Sequence, residues 1–252
     1  MIIDGMMHLE VMGNHWPGIF EEILRLYDAA GIDKGVAMTT WMPSRESNDH
    51  TRRACQQYPD RFLAFGHVRP EDDWHSELKR ITQEFGWTGL KLHQGELKSA
   101  GKEMAEMRAT ASEIVGEAAG LGIKLVKIHL SDYDAVDALS QEHPQVTWIL
   151  PHMGCYYQGR EMQRYCELAR ARPNIYLDTS AADRYANFDQ ALQWAGADKI
   201  TFASDGHYFS PLVEKAKIDT LRLSSPHQLP ILNDEDYAKI MGGTMARLMG
   251  VA

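Results

Sequence analysis

Residues 1–8 read Met-Ile-Ile-Asp-Gly-Met-Met-His, a short apolar run that ends in a histidine. Five further histidines follow comparable apolar runs, and the six together are His8, His67, His93, His129, His152 and His207. Parallel strands of a barrel end at one face, so histidines at strand ends come together there. Imidazoles in such a cluster can bind a metal ion or transfer protons. The pattern therefore indicates one chemical site at the end of a barrel.

The chain alternates between short apolar runs rich in β-branched residues and longer amphipathic stretches. Eight strands are predicted, at 1–8, 35–41, 62–68, 88–93, 124–130, 146–152, 175–180 and 200–205. Nine helices are predicted, near 18–31, 46–57, 72–86, 103–121, 132–142, 158–172, 186–196, 212–222 and 234–249. Eight strand–helix units in 252 residues predict an α/β fold, a (β/α)8 TIM barrel that forms a single domain over residues 1–252. The competing doubly wound sheet normally has a glycine-rich phosphate loop, and the sequence has none.

The composition argues against several classes of partner. The formal net charge is -9, whereas nucleic acids and anionic membranes select basic surfaces, so we expect neither as a partner. No apolar stretch approaches the roughly 20 residues of a membrane span, and no signal peptide is recognisable, which predicts a cytoplasmic protein. The three cysteines, Cys55, Cys155 and Cys166, form no CxxC pattern and fit a reducing compartment.

Several short motifs follow one another along the chain. They are Ile2-Ile-Asp-Gly-Met-Met-His8, Gly89-Leu-Lys-Leu-His93, Ile128-His129, Pro151-His-Met-Gly154, Ala197-Asp-Lys-Ile-Thr-Phe-Ala-Ser-Asp205 and Gly242-Gly-Thr-Met-Ala-Arg-Leu248. In this order they resemble the motifs of the amidohydrolase superfamily, specifically the amidohydrolase-2 group related to aminocarboxymuconate semialdehyde decarboxylase. The resemblance implies a TIM-barrel enzyme that holds one divalent metal ion, for which zinc is the first expectation.

The resemblance also implies roles for individual residues. His8, His129 and Asp205 would bind the metal ion, Asp205 would act as general base, and His152 would orient or polarise the substrate. A divalent ion lowers the pKa of its bound water to about 7 and so supplies hydroxide. Met6, however, stands where the first motif has a histidine, and a thioether suits Cu(I) better than zinc. Retention and loss of the metal ion both remain open.

Other residues near the strand ends are candidates for contact with substrate. Lys91 is a candidate anion clamp, because a lone charge inside a barrel is costly to bury. His207 is expected to be peripheral, and Cys155 to be an ordinary buried thiol. His67 and Arg69 are candidates for a substrate carboxylate, and His93 is a candidate metal ligand or hydrogen-bond donor to substrate. Candidates for the wall of an apolar pocket are Trp41, Tyr156 and Tyr157.

These residues predict a metal-dependent hydrolase that cleaves a C–O or C–N bond, such as that of a lactone or amide, in a small carboxylated substrate. One alternative is metal-dependent, non-oxidative decarboxylation of an aromatic or unsaturated acid. The other, motivated by Met6, is a metal-free lactonase or ligand-binding protein. The short chain leaves little room for the insertions of larger decarboxylases, which favours hydrolysis. The expected partner is a small molecule, and a homo-oligomer is left open.

Overall fold

The computed structural model describes residues 1–154, 161–182 and 185–251 of the chain. Within these residues, nine short strands lie at the positions that the sequence predicts. They are β1 (Ile3–His8), β2 (Lys34–Met38), β3 (Phe62–Ala64), β4 (Gly66–His67), β5 (Gly89–His93), β6 (Leu125–His129), β7 (Thr147–Leu150), β8 (Ile175–Asp178) and β9 (Ile200–Thr201). Strands β3 and β4 divide the predicted strand 62–68 at Phe65, so the nine correspond to the eight predicted strands.

The strands pair in parallel and in chain order, in one sheet of β1–β3 and another of β4–β9. At one gap the chain itself continues through Phe65 from β3 to β4, and Phe65 N donates to Ala37 O on β2 at 3.0 Å. Across the other gap, Gly5 N on β1 donates to Phe202 O, just after β9, at 2.9 Å. The predicted α/β fold, a (β/α)8 TIM barrel, is therefore confirmed, and the C-terminal ends of its strands lie at one face.

Helices alternate with the strands around the barrel. They are α1 (Ile19–Ala30), α2 (Ser44–Gln57), α3 (Trp74–Lys79), α4 (Gln94–Leu97), α5 (Met104–Gly120), α6 (Tyr133–Glu142), α7 (Met162–Ala171), α8 (Phe188–Ala195), α9 (Pro211–Thr220), α10 (Asp234–Ala238) and α11 (Thr244–Met249). Each predicted helix has a counterpart, α4 is an addition, and residues 158–160 of the predicted helix 158–172 lie outside the described residues. In the described ranges, no helix has the length and apolar character needed to cross a membrane.

The last predicted helix, 234–249, is interrupted for a packing reason. A π-helical segment, Lys239–Gly243, separates α10 from α11. A Cβ atom at Gly242 would lie 2.3 Å from Met1 O, closer than real atoms approach. Glycine at this position therefore lets the N-terminal residues that lead into β1 pack directly against the chain.

Apolar side chains fill two regions of the barrel. The larger cluster lies between strands and helices and includes Ile23, Leu90 and Trp148. The smaller cluster takes side chains from successive strands, among them Met6 and Phe65, and so fills the barrel interior. Full burial of one such side chain contributes about 1.5–3 kcal/mol, so both regions stabilise the fold strongly.

Asp4 fixes the first strand against the end of the last one. Its buried carboxylate accepts hydrogen bonds from Ser204 N at 2.8 Å, Met6 N at 3.1 Å and Tyr27 Oη at 3.0 Å, and from the Ser204 hydroxyl. Burial raises the pKa of Asp4 to about 6, although these hydrogen bonds oppose the rise. The network sets the relative position of β1 and the segment after β9, which carry His8 and Asp205.

Candidate active site

A cavity of about 220 Å³ opens where the strands end. It is lined by His8, Met12, Trp41, Lys91, His93, His129, His152, Asp205 and Tyr208. The structure therefore brings together seven of the nine site residues that the sequence predicts. Met12 and Tyr208 are additions from loops, and Tyr208 Oη accepts a hydrogen bond from Met12 N at 2.8 Å.

His8 lies between two carboxylates. Its Nε2 is 3.3 Å from Asp205 Oδ1, and its Nδ1 is 3.3 Å from Glu10 Oε1. Burial alone would lower the pKa of His8, but the charges of Glu10 and Asp205 outweigh burial and raise the pKa to about 9. Burial would likewise raise the pKa of Asp205, but the hydrogen bond and charge of His8 lower it. At neutral pH the group is an imidazolium ion held between two carboxylates.

Glu10 contacts His8 and is a residue that the sequence analysis does not single out. It is fully buried, and Thr40 Oγ1 donates to its Oε1 at 2.8 Å. Its place two residues after His8 was a usable signal, because residues two apart on an extended chain share a face.

Three neutral imidazoles form another wall of the cavity. The His129 ring centroid is 4.4 Å from that of His93 and 4.9 Å from that of His152. Burial lowers the pKa of His93 to about 3, assisted by the charge of Lys91, and lowers that of His152 to about 4. Burial, and then electrostatic repulsion by His93 and His152, hold the pKa of His129 far below its ordinary value. All three rings are therefore uncharged at neutral pH.

Hydrogen bonds to the backbone define which ring nitrogen carries the proton. His93 Nδ1 accepts from Gly95 N at 3.0 Å, so the proton of neutral His93 is on Nε2. His152 Nδ1 is 3.0 Å from Ser180 O, and since a carbonyl only accepts, Nδ1 carries the proton and Nε2 is the acceptor. The two rings thus have opposite hydrogen-bonding roles, because His93 Nε2 is a donor and His152 Nε2 is an acceptor.

Asp178 supports His152 from behind. Its Oδ1 accepts from His152 N at 3.1 Å and from Ser180 Oγ at 2.5 Å, and its Oδ2 pairs with the Lys127 ammonium group. All of these groups are buried. Since buried and fully hydrogen-bonded groups have little freedom to move, this network fixes the orientation of the His152 ring.

Lys91 is also a buried lysine, but its environment differs from that of Lys127, which pairs with Asp178. Its side chain is 1% exposed, and its Nζ donates to Met6 Sδ at 3.6 Å. Among the described residues, no carboxylate lies within ion-pair distance of this ammonium group. Burial, and then the charge of Lys127, lower the pKa of Lys91 to about 8. The cavity wall therefore carries a positive charge suited to an anionic ligand.

Four lining residues have left-handed backbone conformations that are unusual for residues with a side chain, and the φ angle of Met12, the first of them, is 51°. The φ angles of Trp41, His152 and Asp205 are 60°, 60° and 57°. A non-glycine residue in a sparsely populated region costs about 1–3 kcal/mol, and such strain concentrates at functional sites. This observation supports the cavity as the active site independently of its charges.

Two predicted substrate contacts do not reach the cavity. His67 is buried, with Nε2 3.0 Å from Glu96 Oε1 and Nδ1 3.4 Å from Lys91 O. The Arg69 guanidinium pairs with Glu71. We therefore correct both expectations: His67 positions Glu96, which also accepts from Trp41 N at 2.9 Å, and Arg69 forms a partly exposed ion pair.

The remaining predicted residues fall into two groups. His207 is absent from the cavity lining and contacts the Trp16 ring, with centroids 5.3 Å apart, so its predicted peripheral position agrees with the structure. Cys155, Tyr156 and Tyr157 lie outside the described residues.

The side chains do not fit a divalent metal ion. Among the residues that the structure describes, no group of three or more His, Cys, Asp or Glu side chains is arranged to hold one. Both ring nitrogens of His8 face carboxylates, and the Lys91 ammonium group lies beside Met6. Zinc sites in enzymes normally use three protein ligands with deprotonated donor atoms. We therefore assign no chemical step to a metal ion.

Comparison with known proteins gives one family and a shared fold. The family model described as Amidohydrolase matches residues 19–251. No curated protein matches the chain. Solved structures match over nearly the whole chain at low sequence identity, which is evidence of a common fold.

Three of these structures are enzymes of known reaction. A 2,6-dihydroxybenzoate decarboxylase from Rhizobium is 19% identical, with 99% of this chain and 98% of that chain covered and a TM-score of 0.68. The 4-oxalomesaconate hydratase of Rhodopseudomonas palustris is 18% identical, with 99% and 96% covered and a TM-score of 0.69. A dihydroxybenzoic acid decarboxylase from a Polaromonas species, with bound manganese and the inhibitor 2-nitroresorcinol, is 16% identical, with 99% and 96% covered and a TM-score of 0.65.

Proposed function

Because the chain belongs to the amidohydrolase family, we propose that it hydrolyses a C–O or C–N bond, such as that of a lactone or amide, in a small carboxylated substrate. One observation carries the proposal: the cavity joins Lys91, a buried cation with no carboxylate partner among the described residues, to the His8–Asp205 pair. The cation accounts for binding of a carboxylate, and the pair accounts for proton transfer.

The substrate carboxylate binds to Lys91 Nζ, whose one hydrogen bond within the described residues is to the weak acceptor Met6 Sδ. The body of the substrate lies against Met12, Trp41 and Tyr208 at the mouth of the cavity. Met12 is 67% exposed and Trp41 is 37% exposed, so an apolar group that covers them removes apolar surface from water. A cavity of about 220 Å³ limits the substrate to a small molecule.

Water is activated by Asp205 and oriented by His152. Asp205 accepts one proton of the water molecule, and His152 Nε2 accepts a hydrogen bond from the other. The water oxygen then adds to the carbonyl carbon, while His93 Nε2–H donates a hydrogen bond to the carbonyl oxygen as it becomes negative. The role of His152 thus differs from the sequence-based expectation that it polarises the substrate.

Collapse of the tetrahedral intermediate completes the reaction. The C–O or C–N bond breaks, and the leaving oxygen or nitrogen takes from Asp205 the proton that came from water. The substrate and one water molecule yield a carboxylic acid and an alcohol or amine. The His8 imidazolium ion keeps Asp205 ionised at the start of each cycle.

The charge of Lys91 favours hydrolysis over decarboxylation. An ammonium group beside the substrate carboxylate stabilises the ionised ground state, and loss of CO2 would remove the charge that it binds. Stabilisation of the ground state alone does not accelerate a reaction. The similar decarboxylase structures are less than 25% identical to this chain and share its fold.

The test is a panel of carboxylated lactones and amides, each paired with its methyl ester. We expect hydrolysis of carboxylated members, weaker hydrolysis of their esters, and a loss of at least about 100-fold in the Asp205→Asn variant, as for removal of a general base. Asp134→Asn, which removes an exposed carboxylate on α6, is the matched control. Release of CO2 instead of hydrolysis products, or full activity of Asp205→Asn, would contradict the proposal.

A further inference from the structure

We infer that the Lys91 ammonium group supplies the positive charge that a divalent ion would otherwise bring to this cavity, so that an anionic ligand binds without a metal ion. The inference rests on the proposed function for the identity of the anion, a substrate carboxylate. Its physical basis is the position of Lys91 relative to Met6 and His8.

Lys91 lies beside Met6, at the position where the family resemblance implies a histidine ligand that this chain lacks. Met6 and His8 are two residues apart on β1, and Met6 stands where the first motif has a histidine. Lys91 Nζ on β5 is 3.6 Å from Met6 Sδ. The ammonium group therefore contacts the side chain whose replacement by methionine removes a nitrogen ligand.

The thioether leaves this charge available to a ligand. Met6 Sδ is a weak and neutral acceptor, so it contacts the ammonium group without neutralising it. A metal ion coordinated by a histidine at position 6 would be next to the ammonium group, and the two cations would repel each other. Met6 and Lys91 thus belong together: one removes a metal ligand and the other provides a fixed cation.

A neighbouring lysine shows that the fold can neutralise such a charge. Lys127 on β6 is the direct partner of Lys91 in the sheet register, and both side chains are buried. Lys127 forms an ion pair with Asp178, whereas Lys91, among the described residues, has no carboxylate within ion-pair distance. Since a buried charge without a partner is costly, the difference points to a ligand that pairs with Lys91.

His8 and Asp205 are also engaged in a way that needs no metal ion. Each His8 nitrogen is 3.3 Å from a carboxylate oxygen. A metal ion bound to His8 Nε2 would have to break the contact of this nitrogen with Asp205. His8 thus has carboxylate partners on both sides, whereas Lys91 has none within ion-pair distance among the described residues.

Metal uptake by variants tests the inference without any turnover. Protein dialysed against EDTA is titrated with Zn²⁺ and, separately, Mn²⁺ by calorimetry, and bound metal is measured by elemental analysis. We expect the wild type to retain well under one equivalent of metal. The double variant Met6→His/Lys91→Met should bind metal at least about 10-fold more tightly than the wild type, because it gains a ligand and loses a competing charge. Leu223→His, which adds a histidine at an exposed position outside this cavity, should bind metal as the wild type does.

Benzoate binding provides the second readout. We expect Lys91→Met to weaken benzoate binding at least about 10-fold, the loss of one charge-assisted hydrogen bond, whereas Lys124→Met, which removes an exposed charge, leaves it unchanged. Tight one-equivalent metal binding by the wild type, or unchanged benzoate binding by folded Lys91→Met, would overturn the inference. If no member of the substrate panel is hydrolysed while metal and benzoate binding are as expected, the proposed hydrolysis is overturned and the inference about Lys91 stands.

Discussion

Replacement of Lys91 by methionine should stabilise the folded protein at neutral pH, although Lys91 belongs to the proposed substrate site. Burial, followed by the charge of Lys127, lowers the pKa of Lys91 from 10.5 to about 8. At about 1.4 kcal/mol per pKa unit, the difference corresponds to roughly 3 kcal/mol of destabilisation by the charged form. Methionine has a similar length and shape, so packing changes little and this cost disappears.

The effect has a characteristic pH dependence. Below pH 8 the lysine is protonated in both the folded and unfolded states, so the folded wild type bears the full cost. Between pH 8 and 10.5 the unfolded state binds the proton and the folded state does not, so wild-type stability rises with pH. The advantage of Lys91→Met should therefore be largest near neutral pH and decrease across this interval.

The assay is urea unfolding of the wild type, Lys91→Met and the control Lys124→Met, at pH 7 and at pH 10. Comparison of each variant with the wild type at the same pH cancels the titration of other groups, including His8. A loss of stability in Lys91→Met at pH 7, or a stability difference that is the same at both pH values, would show that the Lys91 charge is already compensated inside the protein.

Three further outcomes are expected. Benzoate affinity of the wild type should fall above about pH 8 as Lys91 loses its proton, and titrations across pH should show no such fall in Lys91→Met. His8→Asn removes the cation that lowers the pKa of Asp205, so the acid limb of the profile of kcat/KM against pH should move to higher pH. An unchanged acid limb would contradict the role of Asp205 as the general base. Asp178→Asn leaves Lys127 buried without its ion-pair partner, so urea denaturation should show a free energy of unfolding lower by about 3–5 kcal/mol. A loss below about 1 kcal/mol would show that this ion pair contributes little to stability.

Local patterns were sufficient to predict the barrel and most of the cavity lining. Short apolar runs rich in β-branched residues marked the strands, and the polar and ionisable residues at their ends included His8, Lys91, His129 and Asp205. The prediction succeeded because parallel strands of a barrel bring their C-terminal ends to one face whatever their separation in sequence.

The exceptions arise from contacts between distant segments. His67 ends a strand as predicted, but α4, which the sequence reading did not predict, brings Glu96 against its ring. Lys91 and Met6 are 85 residues apart, and no spacing rule indicates that they touch. The side chains of Met12 and Tyr208 enter the lining through loops, whose paths depend on tertiary packing more than on local preference.

The central claim is that a cation of the chain itself provides the anion-binding charge of this cavity. The most direct measurement is calorimetric titration of the EDTA-dialysed wild type with benzoate, in the absence and in the presence of added Mn²⁺. We expect benzoate to bind in the absence of metal, with an affinity that Mn²⁺ leaves unchanged. Binding that appears only after Mn²⁺ is added would contradict it.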